Sequence, residues 1–174
     1  MVRLSKFLVD TLFGYIMKSV VSSSFKPRNI PPELKQEFGV FVTFTVNDLL
    51  RGCIGFISPR PLWAGVIDAS RASAFNDPRF SPMSESELSE AFVELSVLSK
   101  PVKTVLSSVK KGDGLIVSKG LKSALFLPQV WSELPKKSEF IRELFLKAGL
   151  KLGETGVSYS KFTVAAYKKR FAMC

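Results

Sequence analysis

The sequence predicts an α+β fold in which a mixed, mostly antiparallel sheet is flanked by helices, with room for a small second subdomain. Three observations support this prediction. Some segments alternate apolar and polar residues, as strands do, and others have apolar residues at helical spacing. The two kinds follow one another without the regular βαβ alternation of a parallel sheet. With 174 residues, of which 46% are apolar, the chain suits a single domain over residues 1–174 with a substantial core.

The first predicted helix lies near the N-terminus, where apolar residues recur at helical spacing: Leu4, Phe7, Leu8, Leu12, Tyr15 and Ile16. Asp10 interrupts the apolar stretch and no small-residue cleavage site follows, which favours a helix packed on the core over a signal peptide. The uncharged run of residues 11–17 is too short to cross a bilayer. We therefore expect no membrane association and a cytoplasmic protein.

The other predicted helices carry signals at their ends. One begins near Pro61, because proline is favoured in a first helical turn. A short helix has Ser84 as its N-cap and Glu87 three residues later, which together form a capping box. Another runs from Ser138 as cap to Gly149 as stop.

Strands are predicted where β-branched and aromatic residues are dense. The segments "FGVFVTFTV" and "LLRGCIGFI" read as two strands joined by a turn at Asn47-Asp48, and "SPRP" is expected to end the second. The next strand, "AFVELSVLS", alternates between two faces. One face carries Val93, Leu95 and Val97, and the other carries Glu94 and Ser96.

Three further elements are predicted toward the C-terminus. The segment "TVLSSVKKGDG" reads as a short helix followed by a glycine-rich turn. Two short strands flank Lys119-Gly120, and "VSYSKFTVAAYKKRF" reads as one last strand.

The absence of histidine restricts the chemistry of the chain more than any other feature of its composition. It removes the usual general base near neutral pH and excludes Ser-His-Asp, Cys-His and HExxH sites. The two cysteines, Cys53 and Cys174, cannot build a disulfide framework, and no CxxC pair indicates zinc. No metal site is expected, the sequence names no cofactor, and a reducing cytosol is the simplest setting.

The net charge of +10 lies in the C-terminal part of the chain. Residues 1–99 hold ten basic and ten acidic residues, whereas residues 100–174 hold fifteen basic and five acidic ones. Such an asymmetry is compatible with an anionic partner, either nucleic acid or an acidic protein. A lysine-rich solvated surface is the favoured explanation, because no aromatic-basic interleaving accompanies the charge.

The segment "LRGCIG" (residues 50–55) combines one arginine and one cysteine with two glycines in a predicted strand. Alternation places Arg51, Cys53 and Gly55 on one face. Glycine weakens a strand, so Gly52 and Gly55 indicate close approach of a backbone or a ligand. The guanidinium of Arg51 suits a carboxylate or phosphate and would lower the pKa of a neighbouring thiol. The alternative is that Cys53 is a small core residue, which free cysteines commonly are.

Two other groups of residues are candidates for a site. In "NDPRF", Asp77 and Arg79 flank a proline that fixes the loop, and their simplest role is a mutual salt bridge. Glu94 and Ser96 are polar residues in an apolar strand, which solvent exposure explains as well as a cleft does. "GCIG" also matches the GxxG loop of nucleic-acid-binding KH domains, but that loop joins two helices and is usually basic.

Several motifs together resemble the AMMECR1 domain family: "LRGCIG", the following "PL", "SAFNDPRFSPMSESEL", "VELSVLS" and "GLIVSKGLKSALFLPQV". Their order and spacing agree with the family over nearly the whole chain. The resemblance implies an α+β protein from a prokaryotic, archaeal source, with the chain little longer than the domain, and it assigns no reaction. It also implies a pathway shared with Memo-type or radical-SAM proteins, which are fused to family members or encoded beside them in some prokaryotes.

The resemblance implies which residues matter. These are the hallmark segment (residues 50–55), the DPRF residues Asp77, Arg79 and Phe80, the pair Glu94 and Ser96, and the triplet Pro128-Gln129-Val130. Relatives often carry histidine soon after the "PL" step, where this chain has Trp63. Any chemistry that this chain shares with them is therefore expected to use arginine, cysteine and carboxylates.

These observations lead to a first hypothesis, a site for an anionic small molecule that is either catalytic or only binding. Arg51 would bind the anion, Cys53 would be nucleophile or wall, and Asp77 or Glu94 would be the acid-base group. Gly52, Gly55, Arg79, Ser96 and Gln129 are the further candidate binding residues. The alternatives are a nucleic-acid or protein-binding module that uses the basic C-terminal half, and an assembly partner of a Memo-like or radical-SAM protein.

Overall fold

We examined a computed structural model of the chain that describes residues 3–172. The chain divides into two compact units. The larger unit comprises residues 3–98 and 165–172, and the smaller unit comprises residues 99–164. Each contains one four-stranded sheet, so the predicted α+β class is confirmed, with two sheets in place of one. The predicted small subdomain corresponds to the smaller unit, and the assignment of residues 1–174 to one functional domain stays a prediction.

The elements in chain order are α1 (Lys6–Val21), β1 (Glu37–Val46), β2 (Leu49–Pro61), α2 (Leu62–Phe75), α3 (Glu85–Glu90), β3 (Phe92–Leu98), β4 (Val102–Thr104), β5 (Gly114–Lys119), β6 (Lys122–Phe126), α4 (Val130–Glu133), α5 (Lys137–Lys147), β7 (Ser158–Phe162) and β8 (Val164–Arg170). Two short 3-10 turns lie at Pro32–Lys35 and Leu106–Ser108.

The sheet of the larger unit has the order β2-β1-β3-β8, and β1 pairs antiparallel with both β2 and β3. The β1–β2 turn is the predicted one, since Asn47 and Asp48 both adopt positive φ, as a tight hairpin turn requires. Every second residue in the middle of β1 is fully buried: Val40, Val42 and Phe44. These residues lie in the same core as buried residues of α1 and α2. The side of the sheet that carries them is called the inner face below, and the opposite side the outer face.

The predicted alternation of β3 is confirmed. Val93, Leu95 and Val97 are fully buried in the core and pair with inner-face residues of β1. Glu94 and Ser96 pair with Thr43 and Phe41 and therefore lie on the outer face.

Helix α1 is present as predicted and buries Leu8, Leu12 and Ile16, whereas Phe7 is 68% exposed. No helix within residues 3–172 is long and apolar enough to cross a membrane. The capping box of Ser84 and Glu87 is also confirmed, and it starts α3.

Four boundary predictions are wrong. Strand β2 continues through "SPRP" to Pro61, which proline allows because β2 is an edge strand. "TVLSSV" forms the end of β4 and a 3-10 turn. Helix α5 has Lys136 at its N-cap, so Ser138 lies inside its first turn, although Gly149 does end it with a positive φ. The last segment is two strands in different sheets, β7 and β8.

The smaller unit has the strand order β4-β7-β5-β6, and all three of its pairings are antiparallel. The two predicted strands around Lys119-Gly120 are β5 and β6. Its separate core includes Leu115 and Val117, and Trp131 stacks on Phe140 with ring centroids 3.9 Å apart. Cys174 lies outside the described residues.

Candidate functional site

The hallmark segment lies in edge strand β2, and its two faces have different neighbours. Cys53 pairs with Thr43 of β1, and Thr43 pairs on its other side with Glu94 of β3. Paired residues point to the same side of a sheet, so these three side chains form a row across the outer face. The next row consists of Gly55, Phe41 and Ser96.

The inner face of the segment is closed by helix α2. A Cβ at Gly52 would overlap the main-chain carbonyl of Ser73. The Ser73 hydroxyl accepts a hydrogen bond from Ile54 N–H and donates one to the carbonyl of Val42, both at 2.7 Å. Gly52 therefore permits close approach of the helix backbone, and Ser73 fastens α2 to both strands of the hairpin.

Gly55 also has a packing role. A Cβ there would overlap the ring of Phe41 and the carbonyl oxygen of Val40 in the neighbouring strand. Both glycines are thus explained by close approach, as the sequence predicted. In both cases the group that approaches belongs to the chain itself and not to a ligand.

The free edge of β2 is covered by the side chains of Asp77 and Arg79. Cys53 N–H donates to Asp77 Oδ2 at 2.9 Å, and Arg79 Nη2 donates to the Cys53 carbonyl at 3.3 Å. The two side chains also form a bidentate pair, with distances of 3.0 Å from Arg79 Nε to Asp77 Oδ1 and 2.8 Å from Nη2 to Oδ2. Together they bond both main-chain groups that the edge strand would otherwise leave unpaired at Cys53.

Asp77 is buried, and its carboxylate is fully engaged. Its hydrogen bonds with Arg79, followed by those from the Cys53 and Arg79 N–H groups, outweigh the desolvation that opposes them and hold its pKa far below the usual range. A carboxylate held ionised in this way makes a poor proton donor or acceptor near neutral pH. The position of Asp77 thus favours the salt-bridge role that the sequence left open.

Arg51 binds a carboxylate of its own chain. Its Nε donates to Glu87 Oε1 at 2.6 Å and its Nη2 to Glu87 Oε2 at 3.2 Å, and Nη2 also reaches the Ser81 carbonyl at 3.1 Å. The pair raises the pKa of Arg51, and with the Ser84 cap it lowers the pKa of Glu87 to about 2. Only 16% of the Arg51 side chain is exposed.

The two arginines converge on one ring. The guanidinium carbon of Arg51 lies 5.7 Å from the Phe80 ring centroid, and that of Arg79 lies 5.3 Å from it. Arg79 is the more accessible of the two, with 53% of its side chain exposed. The loop from Asp77 to Phe80 thus links both ion pairs to the hallmark segment.

The thiol of Cys53 is half-buried and free. Thr43 Oγ1 donates a hydrogen bond to its sulfur at 3.2 Å. The Arg79 guanidinium reaches the same residue through its 3.3 Å hydrogen bond to the Cys53 carbonyl.

Glu94, Ser96 and Gln129 differ in their surroundings. Glu94 is half-buried on the outer face, and its side chain makes no hydrogen bond to any of residues 3–172. Ser96 is buried on that face. Gln129 is exposed in the smaller unit at the start of α4. Within residues 3–172, no three His, Cys, Asp or Glu residues are grouped to hold a metal ion.

Three contacts were not predicted from the sequence. They are the ion pair of Glu87 with Arg51, the hydrogen bonds of Ser73 that hold α2 against the hairpin, and the hydrogen bond from Thr43 to Cys53. For Glu87 the capping box masked a second role, because one carboxylate serves both the cap and the arginine. Regular alignment of the predicted hairpin from its Asn47-Asp48 turn would have paired Thr43 with Gly52, because the register shifts by one residue between Phe44 and Thr45. Nothing local to Ser73 indicates its contact.

Many basic side chains of the smaller unit have partners within it. Lys119 pairs with Glu154 at 2.7 Å. Lys122 donates to the Gly149 carbonyl at 2.7 Å, and Lys137 to the Val109 carbonyl at 2.8 Å. A carbonyl oxygen accepts a hydrogen bond from a lysine but carries no net charge. The contacts of Lys122 and Lys137 therefore do not neutralise the positive charge of these side chains.

Comparisons with known proteins give the family and the fold of the chain. The sequence model of the AMMECR1 family matches residues 10–171. The chain belongs to the AMMECR1 family. It is similar to Protein PF1979 of Pyrococcus furiosus, with 39% identity over 83% of this chain and 77% of the relative. It is also similar to Protein PH0010 of Pyrococcus horikoshii, with 40% identity over 83% of this chain and 79% of that relative.

The crystal structure of uncharacterized protein PH0010 from Pyrococcus horikoshii has the same fold. Its TM-score is 0.81 at 36% sequence identity, and the match covers 95% of this chain and 91% of the other. The relatives are archaeal, as the sequence predicted for an AMMECR1 member. The hallmark segment is thus set in an AMMECR1 fold, with an outer face that carries a free thiol.

Proposed function

We propose that the outer-face row of Cys53, Thr43 and Glu94, together with Arg79, is the site at which this AMMECR1 protein binds and reacts with an anionic small molecule. One observation carries the proposal. The Cys53 thiol accepts a hydrogen bond from Thr43, and Arg79 Nη2 donates a hydrogen bond to the carbonyl of the same cysteine at 3.3 Å. In a chain without histidine, those two groups are the neighbours that can support Cys53 as a nucleophile.

Each residue has a separate role in this proposal. Cys53 is the nucleophile: its sulfur adds to a carbonyl carbon of the bound molecule, the C=O π bond opens, and the thiol proton ends on the carbonyl oxygen. Arg79 replaces Arg51 as the anion-binding group, because its guanidinium is the more exposed one and its Nη1 makes no hydrogen bond to residues 3–172. Glu94 replaces Asp77 as the acid-base group, because its carboxylate is free of the contacts that keep Asp77 ionised.

The spacing of the row suits a small ligand. Neighbouring strands lie about 4.8 Å apart, so Cys53 and Glu94 stand roughly 10 Å apart with Thr43 between them. A molecule lying over Thr43 could meet the thiol at one end and the carboxylate at the other. Ser96 and the two glycines do not contact the ligand in this proposal; they pack beside the row and hold its strands in place.

The test is the alkylation rate of Cys53 by iodoacetamide at pH 7, measured by peptide mass spectrometry in a C174S background. We expect Cys53 to react faster than a small peptide thiol. The matched variant T43V keeps the side-chain shape but loses the O–H donor. It should slow the reaction about fivefold, because one hydrogen bond is worth about 1 kcal/mol.

Two results would overturn the proposal. The first is a Cys53 that reacts no faster than the peptide thiol, and the second is a T43V variant that reacts at the original rate. A thermal-shift screen with anionic metabolites, run on the original chain and on C53S and R79Q, then identifies the ligand. Binding that survives R79Q unchanged would contradict the role of Arg79.

We further place the protein in the cytoplasm, since a free thiol of this kind is maintained in a reducing compartment. A Memo-like or radical-SAM partner and a nucleic-acid partner stay predictions from the sequence.

A further inference from the structure

The larger unit contains a second concave surface, the Trp63 groove, which the proposed function does not use. It is a half-open cavity of about 480 Å³ between helix α2 and the segment that follows α1. Its apolar lining includes Trp63 and Ile67 of α2, and Phe25 and Pro27 of the segment. The groove lies against α2, which packs on the inner face of the sheet, whereas Cys53 belongs to the outer face.

The wall of the groove is held in place by Arg71. Its Nε donates to the Ser19 carbonyl at 3.1 Å, and its Nη2 donates to the carbonyls of Ser22 and Phe25, both at 3.2 Å. These bonds fix the end of α1 and the following segment against α2. Phe25 is supported further by Tyr15, with ring centroids 6.0 Å apart. A wall fixed in this way loses little conformational entropy when a ligand binds.

The charge around the groove is positive. Lys26 and Arg71 both line it, and neither forms an ion pair with any of residues 3–172. Arg71 Nη1 also makes no hydrogen bond within that range. The one acidic residue of the lining, Asp68, lies 3.9 Å from Arg60, which offsets its charge. A second cavity, which Phe25 also lines, includes Lys18, which adds a further positive charge.

We propose that the Trp63 groove binds a planar aromatic molecule that carries an anionic group, such as a phosphate or carboxylate. The ring stacks on the indole of Trp63 over the apolar floor, and the anionic group is bound by Lys26 and the free Nη1 of Arg71. An isolated anion would leave the apolar floor uncovered. A neutral aromatic molecule would leave both cations without a partner.

The volume supports this class of ligand. Pockets for small molecules commonly have volumes of about 300–1,000 Å³, a hydrophobic and aromatic lining and a small number of charged groups that fix orientation. The Trp63 groove has all three features, with the aromatic residue on a helix and one cation on the adjoining segment.

The experiment is a calorimetric titration of the full chain with two probes, AMP and 2-naphthoate. Adenosine and inorganic phosphate serve as comparison compounds. We expect at least one probe to bind, and adenosine and phosphate to bind at least tenfold more weakly than AMP if AMP is the one that binds. W63A should weaken binding roughly tenfold, because stacking on an aromatic side chain is worth about 1–3 kcal/mol.

The variant K26Q provides an independent test, since Lys26 is exposed on an irregular segment and its replacement leaves the core intact. It should weaken binding of either probe about fivefold and reduce the dependence of affinity on salt, because one charge-assisted contact is lost. K35Q, which changes an exposed lysine outside the groove, should bind as the original chain does. Absence of binding by both probes overturns the proposal, and so does binding that K26Q leaves unchanged.

Discussion

The two faces of the sheet at strand β2 differ in how closely they are packed and in how many of their polar side chains lack a hydrogen-bond partner among the described residues. On the inner face, helix α2 approaches so closely that Gly52 has no room for a side chain, and the Ser73 hydroxyl is bonded to both strands. On the outer face, Cys53 has a free thiol and Glu94 a carboxylate without a bond to the described residues. Between them, the strand edge is closed by Asp77 and Arg79.

This comparison separates two roles that the hallmark segment combines. The glycines and Asp77 are required to assemble the hairpin, the helix and the loop. Cys53 contributes its main chain to that assembly, whereas within residues 3–172 its sulfur hydrogen-bonds only with Thr43. Mutations that affect the inner face and the edge should therefore change stability, and those at the sulfur should change reactivity.

The largest effect is expected from G52A on the inner face. The added methyl group overlaps a main-chain carbonyl of α2, which no rotamer change relieves, so the helix has to move. We expect a loss of roughly 3 kcal/mol or more in the free energy of unfolding, measured by urea denaturation.

The matched control for G52A is G14A in helix α1, where an added Cβ meets no atom within 4 Å. Alanine is preferred over glycine inside a helix, so G14A should raise stability by about 0.5–1 kcal/mol. A G52A protein as stable as G14A would mean that the close approach of α2 is not required.

The second effect concerns the edge of β2. D77N keeps the size of the side chain, but its amide cannot accept all the hydrogen bonds that Cys53 and Arg79 donate to Asp77. We expect a loss of roughly 2 kcal/mol, because hydrogen bonds to a charged group are worth about 1.5–3 kcal/mol each. The measurement is again urea denaturation at pH 7.

D68N is the control at an exposed Asp–Arg pair. Asp68 is 57% exposed and 3.9 Å from Arg60, so its replacement should change stability by no more than about 0.5 kcal/mol. Equal losses in D77N and D68N would show that the edge contact has no special role.

The third and smallest effect is a pH dependence at the Arg51–Glu87 pair. The pKa of Glu87 is lowered to about 2 in the folded protein, whereas an unperturbed glutamate has a pKa of about 4.3. The stabilisation by this pair is therefore fully present above about pH 4.3, and it is lost as the pH falls toward 2. The difference in unfolding free energy between the original chain and E87Q should shrink over that range.

The control for this measurement is E139Q, which removes the exposed i,i+3 pair with Lys136. Its difference from the original chain should be a few tenths of a kcal/mol at pH 7. If E87Q shows the same small difference at every pH, the pair with Arg51 does not stabilise the fold.

The elements with strong local signals could be predicted from the sequence. The Asn47-Asp48 turn, the alternation of β3, and the cap formed by Ser84 and Glu87 all depend on residues close in the chain, and the structure has each of them. The ends of the elements were predicted less accurately. Strand β2 continues through two prolines, which an edge strand tolerates but an inner strand does not.

The fold brings only some of the predicted site residues close to one another. Alternation placed Glu94 on the face opposite the core, and pairing through Thr43 puts Cys53 in the same row. Arg51 was expected to bind an external anion, but the structure gives it Glu87, which lies 36 residues further along the chain. No local pattern identifies that partner, since many acidic residues of the sequence could have served.

The sequence by itself determined the family, the α+β class, the two glycines that need a close neighbour, and the chemistry that a chain without histidine cannot perform. These follow from residue identity and short-range spacing. Only the tertiary structure decided which group approaches each glycine, which carboxylate binds which arginine, and which polar groups stay free. Those outcomes depend on how distant segments pack, and packing brings Ser73 to Gly52 and Asp77 to Cys53 through contacts that local spacing does not encode.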